Sequence, residues 1–131
     1  MNSIINAGLD NSISYQEYRE LVATYAAEGK TSGNTQTPDY INYTKLNESR
    51  MHRLDKTLQV IDEVKTYLEN LNKEYIWLVL AETWCGDAAQ VLPVINKMAQ
   101  VSDKIELRIL LRDDNEAVMN LFLTNGTKSI P

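Results

Sequence analysis

The sequence holds one cysteine, one histidine, one phenylalanine and three prolines in 131 residues. A single thiol excludes an internal disulfide and any cysteine-rich zinc site. The lone His52 has no histidine partner three or four residues away, so no metal site is expected. It reads as a surface histidine on a helix, because a cysteine–histidine pair is assembled by a fold and cannot be read from spacing. Basic residues are outnumbered: the net charge is −5 and the pI about 4.8. That argues against a nucleic-acid or anionic-membrane surface. No stretch approaches the ~20 apolar residues of a membrane span, and residues 1–10 lack the basic-then-apolar pattern of a signal peptide. The expected location is therefore the cytoplasm.

Forty-four per cent of the residues are hydrophobic and 24% are charged, so the chain can bury a core. Its length suits one domain. Ser14-x-x-Glu17 is a capping box, with Ile13 and Tyr18 at the staple positions. Tyr18, Leu21, Val22 and Tyr25 continue it as a helix that Gly29 stops. Thr31 to Pro38 is a polar loop. From about Tyr43 to Leu71, the residues Leu46, Leu54, Leu58, Ile61, Val64, Leu68 and Leu71 recur near helical spacing, with a break expected near Asp55.

Tyr75 to Ala81 is almost continuously apolar, as in a strand of a parallel sheet buried on both faces. Ala88 to Val101 has helical periodicity, and Ile105 to Leu111 alternates as a strand. Strand, helix and strand make a βαβ unit. Asp113 and Glu116 are spaced as a capping pair for a short last helix, which Asn125-Gly126 is placed to end.

The chemistry concentrates at Glu82-Thr83-Trp84-Cys85-Gly86-Asp87-Ala88. The order of elements puts Cys85 at the C-terminal end of a strand and the N-terminus of a helix. Free amides and the helix dipole favour a thiolate there. Against this stands the possibility of a buried, inert thiol. Asp87 is either a plain acid in a first helical turn or a proton acceptor for Cys85. Its charge opposes a thiolate, and the helix N-terminus favours one. Trp84 either packs over the site or meets a partner. Glu82 reads as a solvated residue at the strand end.

Trp84-Cys85-Gly86, Pro93 within the following helix, Asp114 after the second strand and Ser129-Ile130-Pro131 occur in the order found in thioredoxins. The chain from roughly Tyr75 to Pro131 resembles that family. With its helical N-terminal region, the string Ala-Glu-Thr-Trp-Cys-Gly-Asp-Ala-Ala-Gln looks like a bacterial branch of thioredoxin-like proteins. The resemblance implies an α/β thioredoxin-like fold, a βαβ unit plus a following helix. Residues 1–72 would be an N-terminal helical extension and residues 73–131 a partial thioredoxin-like domain. The final β-hairpin and helix would be missing, so the chain reads as C-terminally truncated. The first strand would then expose an apolar edge, covered by a second copy or by the N-terminal region.

The resemblance assigns Cys85 to catalysis and Trp84, Gly86, Ile130 and Pro131 to substrate binding; Asp87 joins Cys85 as a catalytic candidate on its own chemistry, as a proton acceptor beside the thiol. No cofactor or metal is implied. The departures are equally specific. Asp87 replaces the family's proline, Ala88 its second cysteine, and Val79 its buried acid. One chain thus has no resolving thiol for a dithiol cycle. Monothiol exchange with a protein or a low-molecular-weight thiol or disulfide remains open. So does a redox-inactive binding or scaffold protein. Iron–sulfur binding would need a glutathione-recognition pattern that the sequence lacks.

Overall fold

The computed structural model describes residues 2–131. The elements in chain order are α1 (Ser3–Asp10), α2 (Tyr15–Glu28), α3 (Pro38–Thr57), α4 (Asp62–Glu69), β1 (Tyr75–Ala81), α5 (Gly86–Gln100), β2 (Ile105–Leu111) and α6 (Glu116–Met119). β1 and β2 are parallel and in register from Tyr75 opposite Ile105 to Ala81 opposite Leu111. With α5 between them they form the expected βαβ unit. No described helix is long and apolar enough to cross a membrane.

The alternation of β2 divides its side chains between two layers. Ile105, Leu107 and Ile109 are buried in the main core with Tyr18 and Val22 of α2, Met51 of α3, and Ala88, Ala89 and Leu92 of α5. Leu110 points the other way, where it meets Gly8 of α1 beside Val118 of α6. The outer edge of β2 is closed by one antiparallel bridge, with Ile13 and Ile109 exchanging N–H···O bonds of 2.9 and 2.8 Å. The N-terminal region therefore covers the edge of β2. Among the described residues β1 has no strand on its other side.

α2 begins as its sequence dictates. The Ser14 hydroxyl accepts from the Glu17 N–H and the Glu17 carboxylate accepts from the Ser14 N–H, and Gly29 closes the helix at φ +68°. His52 is exposed on α3, as expected. Other boundaries differ. α3 starts at Pro38 because Thr37 caps it and proline is suited to the first helical position. It runs past Asp55 to Thr57, and the break falls at Leu58–Ile61, where the backbone turns extended. Leu46 and Ile61 are exposed, while the buried face of α3 is Thr44, Asn47 and Met51.

β1 is not buried on both faces: Tyr75 and Ile76 are exposed, and burial deepens only toward Ala81. Asn115, not Asp113, precedes α6, and it makes no side-chain cap. Asn125-Gly126 does not end that helix. It forms the turn of a small loop in which Thr124 and Thr127 exchange two backbone hydrogen bonds. α1, with Asn2 as its cap, is an element that the periodicity did not reveal.

Candidate functional site

At the end of β1 the chain turns sharply from Glu82 to Cys85 and enters α5. The turn is pinned from four directions. The Cys85 N–H donates to the Glu82 carbonyl at 3.0 Å, and the Tyr18 hydroxyl donates to the same oxygen at 3.1 Å. The Asn47 side-chain amide donates to the Thr83 carbonyl at 2.9 Å. The Thr83 N–H donates to the Ser32 hydroxyl at 2.8 Å, and the Ser32 N–H donates back to the Thr83 hydroxyl at 3.0 Å. Thr44 stands within 3.1 Å of Thr83 Oγ1 and 2.8 Å of Thr31 Oγ1. A turn with the Glu82 and Thr83 carbonyls and the Thr83 and Cys85 N–H groups all engaged is preorganised. This explains the polar face of α3: it meets a turn rather than an apolar surface.

Glu82 is fully buried, which corrects the reading of it as a solvated strand-end residue. Its carboxylate accepts from the Ser32 hydroxyl and, at 2.9 Å, from the Asp113 N–H. Burial pushes its carboxyl above the ordinary range. The two hydrogen bonds pull it down, and the nearby Asp113 charge pushes it up again. Gly33 passes between the two acids at φ +85°. A Cβ there would lie 2.6 Å from Asp113 Oδ2 and 3.2 Å from Glu82 Oε2, so both space and backbone conformation require glycine. Asp113 is itself held below the usual carboxylate range. Partial burial opposes this, but the Asn34 N–H and the Arg112 guanidinium outweigh it.

Cys85 is the N-cap of α5 and is 7% exposed. Its sulfur accepts from the Ala88 N–H at 3.4 Å. Its S–H points to the Ile130 carbonyl at 3.7 Å, next to Pro131, whose peptide bond is cis. The structure thus brings Cys85 and Ile130 together, while Pro131, next along the chain, lines a separate cavity with Val79, Val91 and Ile95. Arg112 organises this side. It donates to Asp113 at 2.9 Å and to the Lys128 carbonyl at 3.0 Å, which draws the last residues toward the thiol, and it lies 5.0 Å from the Trp84 ring centre. Trp84 also packs against Tyr40 with ring centres 4.7 Å apart. Gly86 opens α5, and Asp87 is exposed in its first turn.

The charge on the sulfur is decided by burial. Desolvation pushes the Cys85 thiol above its ordinary value. The Ala88 and Asp87 N–H groups pull it down, the Asp87 carboxylate pushes it up, and Arg112 pulls it down. The helix N-terminus acts in the expected direction and is outweighed.

A cavity of about 400 Å³ opens on the other side of the thiol. Tyr40, Tyr43, Asn47, Arg50, Trp84 and Cys85 line it. α3 contributes Leu46 as well, and of its five lining residues only Leu46 stands in the helical spacing of the sequence. Residues 33–131 match a protein family described as thioredoxin, about three-quarters of the chain. The chain belongs to the thioredoxin family. This thioredoxin-family match takes in α3 and α4 as well as the βαβ unit. No curated protein and no solved structure matches the chain.

Proposed function

We propose that this thioredoxin-family chain performs thiol–disulfide exchange by a monothiol mechanism, with Cys85 as nucleophile. One observation carries the reading: the Cys85 sulfur sits on the first N–H groups of α5, 3.7 Å from the Ile130 carbonyl, on the wall of an open cavity. The Cys85 thiol first gives its proton to solvent. The thiolate attacks one sulfur of a disulfide; the new S–S bond forms as the old one breaks. The leaving thiolate takes a proton from water. A second thiol from a small molecule or a partner protein then attacks the mixed disulfide and frees Cys85, since Ala88 stands where a second cysteine would resolve it.

In this reading Trp84, Gly86, Ile130 and Pro131 shape the approach to the sulfur. Burial, with a smaller contribution from the Asp87 carboxylate, opposes the thiolate and makes exchange slow at neutral pH. A cytoplasmic setting, which keeps a lone thiol reduced, belongs to the same proposal.

A specific observation favours a second reading, a redox-silent binding or scaffold protein: Cys85 is buried, which pushes its thiol above the ordinary value. Incubation with 2-hydroxyethyl disulfide at pH 8, followed by intact mass, separates the two. Exchange gives one adduct per chain that a small thiol removes, and Cys85→Ser gives none. A native protein that stays unmodified over hours, while the urea-unfolded chain reacts, would establish the scaffold reading.

A further inference from the structure

We propose that the cavity between α3 and the start of α5 binds a carboxylate through Arg50, and that the exchanged molecule is therefore an amino-acid- or peptide-sized thiol or disulfide. This rests on the exchange reading and names its substrate class.

Four arginines of the chain are partly buried: Arg19, Arg50, Arg108 and Arg112. Three have a carboxylate within 4.0 Å. Arg19 meets Glu48 and Asp55 at 2.7 Å, Arg108 meets Glu106 at 3.8 Å, and Arg112 meets Asp113 at 2.9 Å. Arg50 has none among the described residues. Its one hydrogen bond goes to the neutral Asn47 Oδ1 at 3.2 Å.

Its placement sharpens the contrast. A Cβ on Gly86 would come 3.4 Å from Arg50 Nη1, so the guanidinium lies against the first residue of α5. That end of a helix carries partial positive charge. A cation beside it is the wrong sign unless an anion joins them. Asp87 lines the same cavity but does not come within ion-pairing distance of Arg50.

An anion seated here would meet the fork of Arg50. It would rest against the packed rings of Tyr40 and Trp84, one residue along the chain from the thiol. About 400 Å³ suits a small molecule. A molecule with a carboxylate at Arg50 and its sulfur at Cys85 would engage two residues of the same cavity lining. The covalent step is the one already written: Cys85–S–S–R forms, the ligand disulfide breaks, and the released half leaves as a thiol.

The test compares three disulfides by intact mass at low ionic strength: oxidised glutathione (anionic), 2-hydroxyethyl disulfide (neutral) and cystamine (cationic). Each rate is divided by that of the urea-unfolded chain. The native protein is expected to prefer oxidised glutathione over the neutral disulfide about tenfold. Arg50→Gln brings that ratio close to one, and Arg50→Glu turns the preference toward cystamine, a gain that misfolding cannot produce.

A second measurement needs no exchange. Cys85→Ser is titrated with S-methylglutathione, and adding Arg50→Gln is expected to weaken binding about tenfold. Equal normalised rates for all three disulfides, with no Arg50-dependent binding, would overturn the carboxylate site and leave exchange standing. Arg50-dependent binding of S-methylglutathione by a protein that forms no mixed disulfide would keep the site and overturn exchange.

Discussion

Glu82 and Cys85 stand three residues apart, both out of water, and both favour the protonated form. For an acid raised in this way, the folded chain binds more protons than the unfolded chain above the unfolded value. For Glu82, stability is therefore present below about pH 4 and falls as pH rises toward the folded value. Glu82→Gln removes the charge and keeps the shape. It is expected to gain on the natural protein as pH rises from about 4 to 8, measured by urea unfolding at each pH. Glu82→Ala strands the Ser32 hydroxyl and the Asp113 N–H, and should cost about 2–4 kcal/mol at pH 4, a cost that shrinks as pH rises because the same titrating group is gone. For Cys85, burial keeps the thiol above its ordinary value, so the thiolate is the minor form at neutral pH. The iodoacetamide rate should still be climbing between pH 8 and pH 9, and Asp87→Asn should raise the rate at pH 8 about twofold. A plateau below pH 8 would contradict the buried thiol. At this scale the motif around Cys85 was legible, because strand, turn and helix are written consecutively. The burial of Glu82 was not, because its partner Ser32 lies 50 residues away.

Elements were read best where caps and periodicity agreed. The Ser14–Glu17 box, the Gly29 stop and the two strands are all where local chemistry places them. The start of α3 was written in Thr37-Pro38-Asp39 but was masked by a polar first turn. The leucine spacing misplaced its buried face, since Thr44 and Asn47 are buried for the hydrogen bonds they make with Thr83. α1 has no charged residue in its first or last turn but Asp10 to announce it, and its one buried residue is a glycine. Gly8 lies where a Cβ would come 2.6 Å from Val118 Cγ2 and 3.2 Å from Leu110 Cδ1. Alanine for glycine within a helix ordinarily gains about 1 kcal/mol. Here overpacking costs about 1–3 kcal/mol, so Gly8→Ala should lower the melting temperature. Adding Val118→Ala opens the space, and the double variant should recover stability relative to Val118→Ala alone.

Across the whole molecule, the polar network that carries Cys85 is shared between the helices before β1 and the βαβ unit after it. Tyr18, Thr31, Ser32, Thr44 and Asn47 come from the first part, and Glu82 and Thr83 from the second. An expected consequence is a single unfolding transition, with helical circular dichroism and tryptophan emission following one urea curve. Two separated curves would show that residues 1–72 and 73–131 unfold independently. The sequence could announce the βαβ unit, whose contacts are local. It could not announce that the thiol's cavity is walled by α3, because that wall is made by packing between distant segments.

Trp84 lies between the ring of Tyr40 and the guanidinium of Arg112 while it lines the cavity next to the thiol. Emission from an indole depends on the rings, charges and water around it, so whatever fills that space alters its brightness and colour. Trp77 is the one other tryptophan, and it lies on β1 away from the cavity lining. With Trp77→Phe as background, the molecule becomes its own dye. Occupancy can then be followed by light alone, without attaching a label that would consume the only thiol.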